Sequence, residues 1–93
     1  MSASNFDTFR LQSLMEGYDE VLERHWAPRT LLDMHAHPFA AKALVTSGEM
    51  WLTVGDLTRQ LRPGDTFEID RDVPHAERYG AEGAVFWVAR RHS

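Results

Sequence analysis

Three histidines carry the clearest chemical signal in this 93-residue chain. One residue separates His35 from His37, and His75 follows 38 residues after His37. Side chains two apart on a β-strand leave the same face, so a strand would hold the first two rings together. Three imidazoles with one open position form the arrangement that catalytic metal sites use. The spacing therefore predicts a site for one divalent ion, provided that the fold brings His75 beside the pair.

The elements that must position these rings are read from the periodicity of the apolar residues. Residues 4–16 have apolar side chains three and four apart, which predicts a short amphipathic helix. Asn5 or Asp7 is suited to cap its start, and Gly17 is placed to end it. From Tyr18 onward the period becomes two, which predicts β-strands.

About eight short strands are predicted, with turn signals every 7–12 residues. This pattern is typical of a β-sandwich or barrel and unlike βαβ units. Turns are predicted at Ser47–Glu49 and Gly80–Gly83, and a solvated end at Arg90–Ser93. The predicted strands are residues 18–27, Thr30–His37, Ala40–Thr46, Met50–Val54, Leu57–Leu61, Thr66–Ile69, His75–Tyr79 and Ala84–Ala89.

Composition narrows the class of protein. Ten Lys and Arg against 14 Asp and Glu give a net charge of −4, which argues against nucleic acid as a partner because phosphate binding needs a concentrated basic surface. The absence of Cys excludes disulfides, thiolate metal sites and a Cys nucleophile. No stretch approaches the roughly 20 apolar residues of a membrane helix, and the N-terminus has no secretory signal pattern. We therefore expect a cytoplasmic protein that does not bind membranes.

Two short motifs resemble the two-part signature of the cupins. The first comprises His35-Ala-His37 followed by Gly48, and the second contains Pro63-Gly64-Asp65 and then Pro74-His75. The spacing from Gly64 to His75 matches the family pattern. Asp70, Asp72 and Tyr79 stand where that pattern usually has Pro, Gly and Asn.

The resemblance covers about residues 18–89 and implies an all-β fold, a single small cupin-like β-barrel of the double-stranded β-helix or jelly-roll type. We expect an N-terminal helical segment at 1–17 and the barrel domain at 18–93. The resemblance also implies a homodimer, in which a partner subunit would cover strand edges and outward apolar residues such as Leu44.

The chain departs from the cupin pattern at one ligand position. The family usually places a Glu there, and this chain has Ala41, or Lys42 under the longer spacing. The resemblance therefore implies only the three histidines as ligands, and the ion remains open among Zn, Fe, Mn and Ni.

Glu77 and Tyr79 are the other candidate site residues. On a continuous strand both share the face of His75. Glu77 is suited to three roles: ligating the ion, orienting a histidine, or acting as an acid or base. The alternative is a Glu at the barrel mouth that is solvated or paired with an Arg. Tyr79 is suited to hydrogen-bond a ligand or to fill the core.

Three classes of function fit these residues, and the last of them is a structural or interaction protein with a vestigial site, which the missing acid and the modest charge also fit. The first is a metal-dependent enzyme acting on a small organic molecule, and the resemblance admits oxygenase, isomerase and decarboxylase chemistry. The second is a metal-free sensor or binding module that holds a small molecule and acts through a partner protein.

Overall fold

A computed structural model describes residues 5–92, and it is mostly β-structure with one short helix. Predicted features at residues 1–4 and 93, including a helix start at Ser4, lie outside the described residues. The elements in chain order are α1 (Phe6–Met15), β1 (Glu20–Trp26), β2 (Leu31–His35), β3 (Ala40–Val54), β4 (Leu57–Leu61), β5 (Thr66–Ile69) and β6 (His75–Arg91).

The helix α1 begins and ends at the predicted signals. Asn5 is the N-cap, and its side-chain oxygen accepts a hydrogen bond from the Thr8 N–H at 2.8 Å. Asp7 lies in the first turn. Gly17 has φ +100°, and its N–H donates to the Leu14 carbonyl after the last helical turn. At ten residues this helix is too short to cross a membrane, and residues 5–92 contain no longer one.

Two long strands, β3 and β6, pair with each other along most of their length and run through both halves of one continuous six-stranded sheet. We call these halves the first and the second sheet. The first half of β3 and the second half of β6 form one sheet, with β5 and β1 at its edges. The second half of β3 and the first half of β6 form the other, with β4 and β2 at its edges. All pairs are antiparallel, as expected for an all-β cupin-like barrel.

The predicted turn at Ser47–Glu49 is wrong, because β3 runs without interruption from Ala40 to Val54. The ladder shifts register on both sides of Gly48 and bends there from one sheet to the other. Gly48 has φ +75°, and a Cβ at this position would overlap the carbonyl of Gly83 and lie 2.8 Å from the Cα of Ala84. Glycine at Gly48 therefore lets the strand bend while it stays hydrogen-bonded.

The predicted loop at Gly80–Gly83 is also wrong, because β6 continues through it. The same strand includes Arg90 and Arg91, which the sequence assigned to a solvated end. Arg90 is in register with Glu20 of β1 and with Ala41 of β3, so pairing on both sides holds it in the sheet. The eight predicted strands are therefore six, two of which are long and bent.

The main core lies between the two sheets, and a second cluster lies outside the first sheet. In that second cluster Phe9 of α1 packs on Leu44 and Ala89, and its ring centroid is 5.9 Å from that of Trp87. Leu44 is therefore covered by the chain's own helix, which corrects the expectation that a partner would cover it. The fully buried large residues of the main core are Tyr79, Met50, Leu61 and Val45.

Candidate metal centre

The ends of β2 and β6 bring three imidazole rings together. His35 is the last residue of β2 and is paired with His75, the first residue of β6. His37 lies two residues beyond the end of β2 rather than on the predicted strand. The ring centroid of His35 is 4.9 Å from that of His37 and 4.4 Å from that of His75. The ring centroids of His37 and His75 are 5.0 Å apart. One nitrogen from each ring lies within 4.8 Å of the others.

Backbone carbonyls orient two of the rings. The Nδ1 of His35 is 2.7 Å from the Asp33 carbonyl oxygen, and the Nδ1 of His75 is 3.0 Å from the Val73 carbonyl oxygen. Because a carbonyl oxygen only accepts hydrogen bonds, Nδ1 is the donor in both contacts, and Nε2 either donates to Glu77 as N–H or, in the neutral ring, carries the lone pair. This pattern is typical of histidines that ligate a metal through one nitrogen and are held through the other.

Glu77 is the acid that faces this cluster. Its side chain is 8% exposed, and its Oε2 lies 3.2 Å from the Nε2 of His35 and 3.5 Å from that of His75. Its Oε1 accepts a 2.5 Å hydrogen bond from the Tyr79 hydroxyl. Burial acts to raise the pKa of Glu77, but the hydrogen bonds from His75 and Tyr79 and the charges of His75 and His35 outweigh it and lower that pKa.

The neighbours of Glu77 respond to its charge. The hydrogen bond to Glu77 raises the pKa of His75 in spite of the opposing effect of burial. Burial, together with the Glu77 charge, raises the pKa of Tyr79, so its hydroxyl stays protonated and donates. His37 differs: burial, with the charges of His75 and His35, lowers its pKa and favours the neutral ring that a metal requires.

The position at which the cupin pattern usually has an acid carries none here. Ala41 is buried, faces the barrel interior and lines the cavity beside the histidines. Lys42 faces the opposite side, where its ammonium lies 2.6 Å from a Glu16 carboxylate oxygen of α1. The carboxylate beside the three rings is Glu77, which comes from β6.

A cavity of about 260 Å³ opens beside the histidines. Three of its lining residues, Arg24, Trp26 and Arg90, were not expected from the sequence as part of a site. The alternation of Leu22, Arg24 and Trp26 on one strand face was the available signal, because inward-facing polar residues lie beside a pocket or pair in the core. The apolar part of the wall is formed by Leu32, Phe39, Ala41, Phe67, Ile69, Phe86 and Val88.

The comparisons with known proteins agree with this architecture. The family model described as a cupin domain matches residues 22–89. The chain belongs to the cupin family. A Bacillus subtilis protein named H2HPP isomerase is 37% identical over 80 residues, which make up 85% of this chain and 34% of that protein. This cupin therefore spans about a third of the length of that curated relative.

Solved structures share the fold at lower identity. The cupin domain of Schizosaccharomyces pombe Cnp3 superposes with a TM-score of 0.73 at 11% identity, over 84% of this chain and 55% of that one. A cupin-like protein from Thermotoga maritima gives a TM-score of 0.68 at 24% identity, over 77% of this chain and 56% of that one. These similarities support the cupin fold.

Proposed function

We propose that this cupin binds one divalent metal ion through His35, His37 and His75 and acts on a small organic molecule in the adjoining cavity. The observation that carries the proposal is the orientation of the rings. Backbone carbonyls accept from the Nδ1 atoms of His35 and His75 and turn both Nε2 atoms toward the shared centre, where an ion would replace the protons that they share with Glu77. His37 supplies a third ring whose neutral form is favoured.

The donor set fits such an ion. Imidazole nitrogens suit Zn, Fe and Ni, and bonds of about 2.0–2.1 Å require donor atoms to lie a few ångströms apart. The three nitrogens lie within 4.8 Å of one another, so small rotations of the rings bring them to those separations. A bound ion would supply Lewis-acid polarisation of a carbonyl group.

Glu77 is proposed as the acid-base group. Orienting a histidine is the least suitable of its three roles, because the outer nitrogens of His35 and His75 already bond to backbone carbonyls. The Oε1 of Glu77 is held by Tyr79, while Oε2 faces the shared centre. Tyr79 is accordingly a positioning residue.

The name of the Bacillus subtilis relative favours isomerisation among the reactions that cupins carry out. In such a step Glu77 Oε2 takes a proton from a carbon beside a carbonyl group and returns it to another carbon of the same molecule. A carbon–carbon double bond of the substrate changes position as the proton is moved, and the substrate neither gains nor loses atoms or electrons.

Metal content tests the first part of the proposal. Protein purified without a metal-affinity tag, after growth with Zn, Fe, Mn and Ni, is expected to carry about one ion per chain by elemental analysis. His75→Ala is expected to lose the ion. His25→Ala is the matched control, because that ring is exposed on the outer side of β1 beside Glu23. Protein without metal, or equal loss in both variants, would contradict the metal site.

Proton exchange tests the role of Glu77. Small carbonyl compounds are incubated with metal-loaded protein in D₂O, and deuterium uptake at the carbon beside the carbonyl is followed by NMR. Glu77→Gln is expected to keep the ion and to slow exchange by about 10²-fold or more. Loss of the ion in this variant would identify Glu77 as a ligand. Absence of exchange by the wild-type protein would favour the binding module.

We also propose that the chain forms a homodimer through a sheet edge. The strands β2 and β4 border the second sheet, and they expose Leu31 and Leu57. Sedimentation of a dimer at micromolar concentration is expected, and a monomer would refute the dimer.

A further inference from the structure

Two guanidinium groups line the cavity in addition to the metal centre. Arg24 lies on the inward face of β1 and pairs in register with the buried Phe86. Arg90 lies on the inward face of β6. The proposed metal site uses neither of them, although both border the space beside the histidines.

Arg90 is only partly satisfied by its neighbours. One guanidinium nitrogen, Nη1, lies 3.3 Å from a Glu20 carboxylate oxygen, and the group is 4.8 Å from the ring centroid of Phe39. Its Nε is buried and has no hydrogen-bond partner among residues 5–92. Since Arg carries five N–H donors and no acceptor, only an acceptor can satisfy the remaining donors.

Arg24 has no carboxylate partner within the described part of the chain. Its guanidinium lies 4.9 Å from the ring centroid of Trp26. The indole Nε1 of Trp26 is likewise buried without a partner among residues 5–92. Arg24 therefore brings a guanidinium without a carboxylate partner to the side of the cavity formed by β1.

The balance of charge points the same way. Glu77 is the only carboxylate among the cavity-lining residues of the described chain, and two arginines and three histidines share that lining. A divalent ion on the histidines would add two further positive charges. Positive charge enclosed by apolar walls attracts an anion far more strongly than the same charge in water.

The apolar part of the cavity wall indicates which kind of anion fits. Phe67, Ile69, Phe86 and Val88 form an apolar surface within the same cavity. Inorganic anions would leave this surface uncovered, whereas an organic acid with an apolar body would cover it.

We propose that the cavity binds a small organic carboxylate with an apolar body, whose carboxylate pairs with Arg24, while Arg90 adds positive charge farther along the same wall. This inference rests on the proposed function, because it names the class of molecule that the same site accepts. Bidentate pairing of a carboxylate with guanidinium is the strong, directional contact that these donors offer.

NMR of ¹⁵N-labelled protein tests the proposal, because the arginine Nε–H groups report directly on ligand contact. The probes are phenylacetate, its neutral counterpart phenylacetamide, acetate and inorganic phosphate. Phenylacetate is expected to shift the Arg24 signal and to bind about tenfold more tightly than the other three. No shift with any probe would overturn the proposal, and so would equal binding of phenylacetate and phenylacetamide.

Variants show whether these arginines carry the preference. Arg24→Gln is expected to weaken phenylacetate binding about tenfold and Arg90→Gln to weaken it less, while Arg24→Lys keeps part of the preference for the acid. Arg91→Gln is the control, because Arg91 is an exposed neighbour on the same strand, over the outer residue Tyr18. Equal weakening in Arg91→Gln would overturn the assignment.

Titrations of metal-free and zinc-loaded protein separate this inference from the proposed function. A preference for phenylacetate in a protein that binds no metal would refute the metal site and leave the anion site standing. Metal binding without any preference for phenylacetate would refute the anion site and leave the metal site standing.

Discussion

The bend of β3 at Gly48 is a place where the sequence allows one residue type, and its replacement has a calculable cost. In Gly48→Ala, the left-handed backbone at φ +75° would cost about 1–2 kcal/mol for an L-residue. The new methyl group would also overlap the backbone of Gly83 and Ala84, which cannot rotate aside. Overpacking of this kind adds about 1–3 kcal/mol. The expected loss of unfolding free energy is therefore about 2–5 kcal/mol, a large part of the 5–14 kcal/mol that is roughly typical of 93 residues.

Gly55→Ala is the matched control for this variant. Gly55 has φ +60°, but nothing lies within 4 Å of a Cβ built there, so only the backbone cost applies. The change in the unfolded chain is the same in both variants and cancels in the comparison. Urea unfolding followed by tryptophan fluorescence is expected to find Gly48→Ala less stable than Gly55→Ala by about 1–3 kcal/mol. Equal stability would refute the close approach of β3 and β6.

Three further outcomes are expected. Tyr79→Phe removes a hydrogen bond to the buried Glu77 carboxylate and should lower the stability of the metal-free protein by about 1.5–3 kcal/mol in urea unfolding; an unchanged midpoint would count against that bond. Phe9→Ala should cost about 3 kcal/mol because Phe9 is buried between helix and sheet, yet should leave metal content unchanged, and metal loss would mean that the helix supports the site. Hydrogen bonds from Trp87 and then His25 lower the pKa of the Glu23 carboxyl, so its contribution to stability is present above pH about 4.5 and lost as the pH falls through the lowered value. A carbon-detected NMR titration should find that lowered pKa, Trp87→Phe should move it back toward the ordinary value, and no movement would exclude the indole as its cause.

Local signals were sufficient for most of the fold. The cap at Asn5, the stop at Gly17 and the strands at Leu57–Leu61 and Thr66–Ile69 all match the structure. The breaks predicted within β3 and β6 do not, because a glycine between apolar runs is equally suited to a turn and to a bend within a strand. The pairing of β3 with β6 decides between a turn and a bend, and this pairing joins residues that are far apart in the sequence.

Some residues of the candidate site could be predicted from local sequence, and others could not because they depend on long-range contacts. The two motifs identified the three histidines, since their spacing reflects where strands begin and end. Arg24 and Arg90 were missed for a different reason. Their role depends on which carboxylates lie near them in the fold. In addition, Arg90 lies in a segment that the sequence assigned to a solvated end. Sequence periodicity assigns a face to a side chain but does not identify its partners.

The proposed three-histidine metal centre is tested most directly by a crystal structure of protein loaded with metal, with diffraction collected at the absorption edge of the added ion. We expect one anomalous peak about 2.0–2.3 Å from a nitrogen of each of His35, His37 and His75, with Glu77 Oε2 facing it. A peak away from these rings, or none in crystals grown with excess metal, would contradict the assignment.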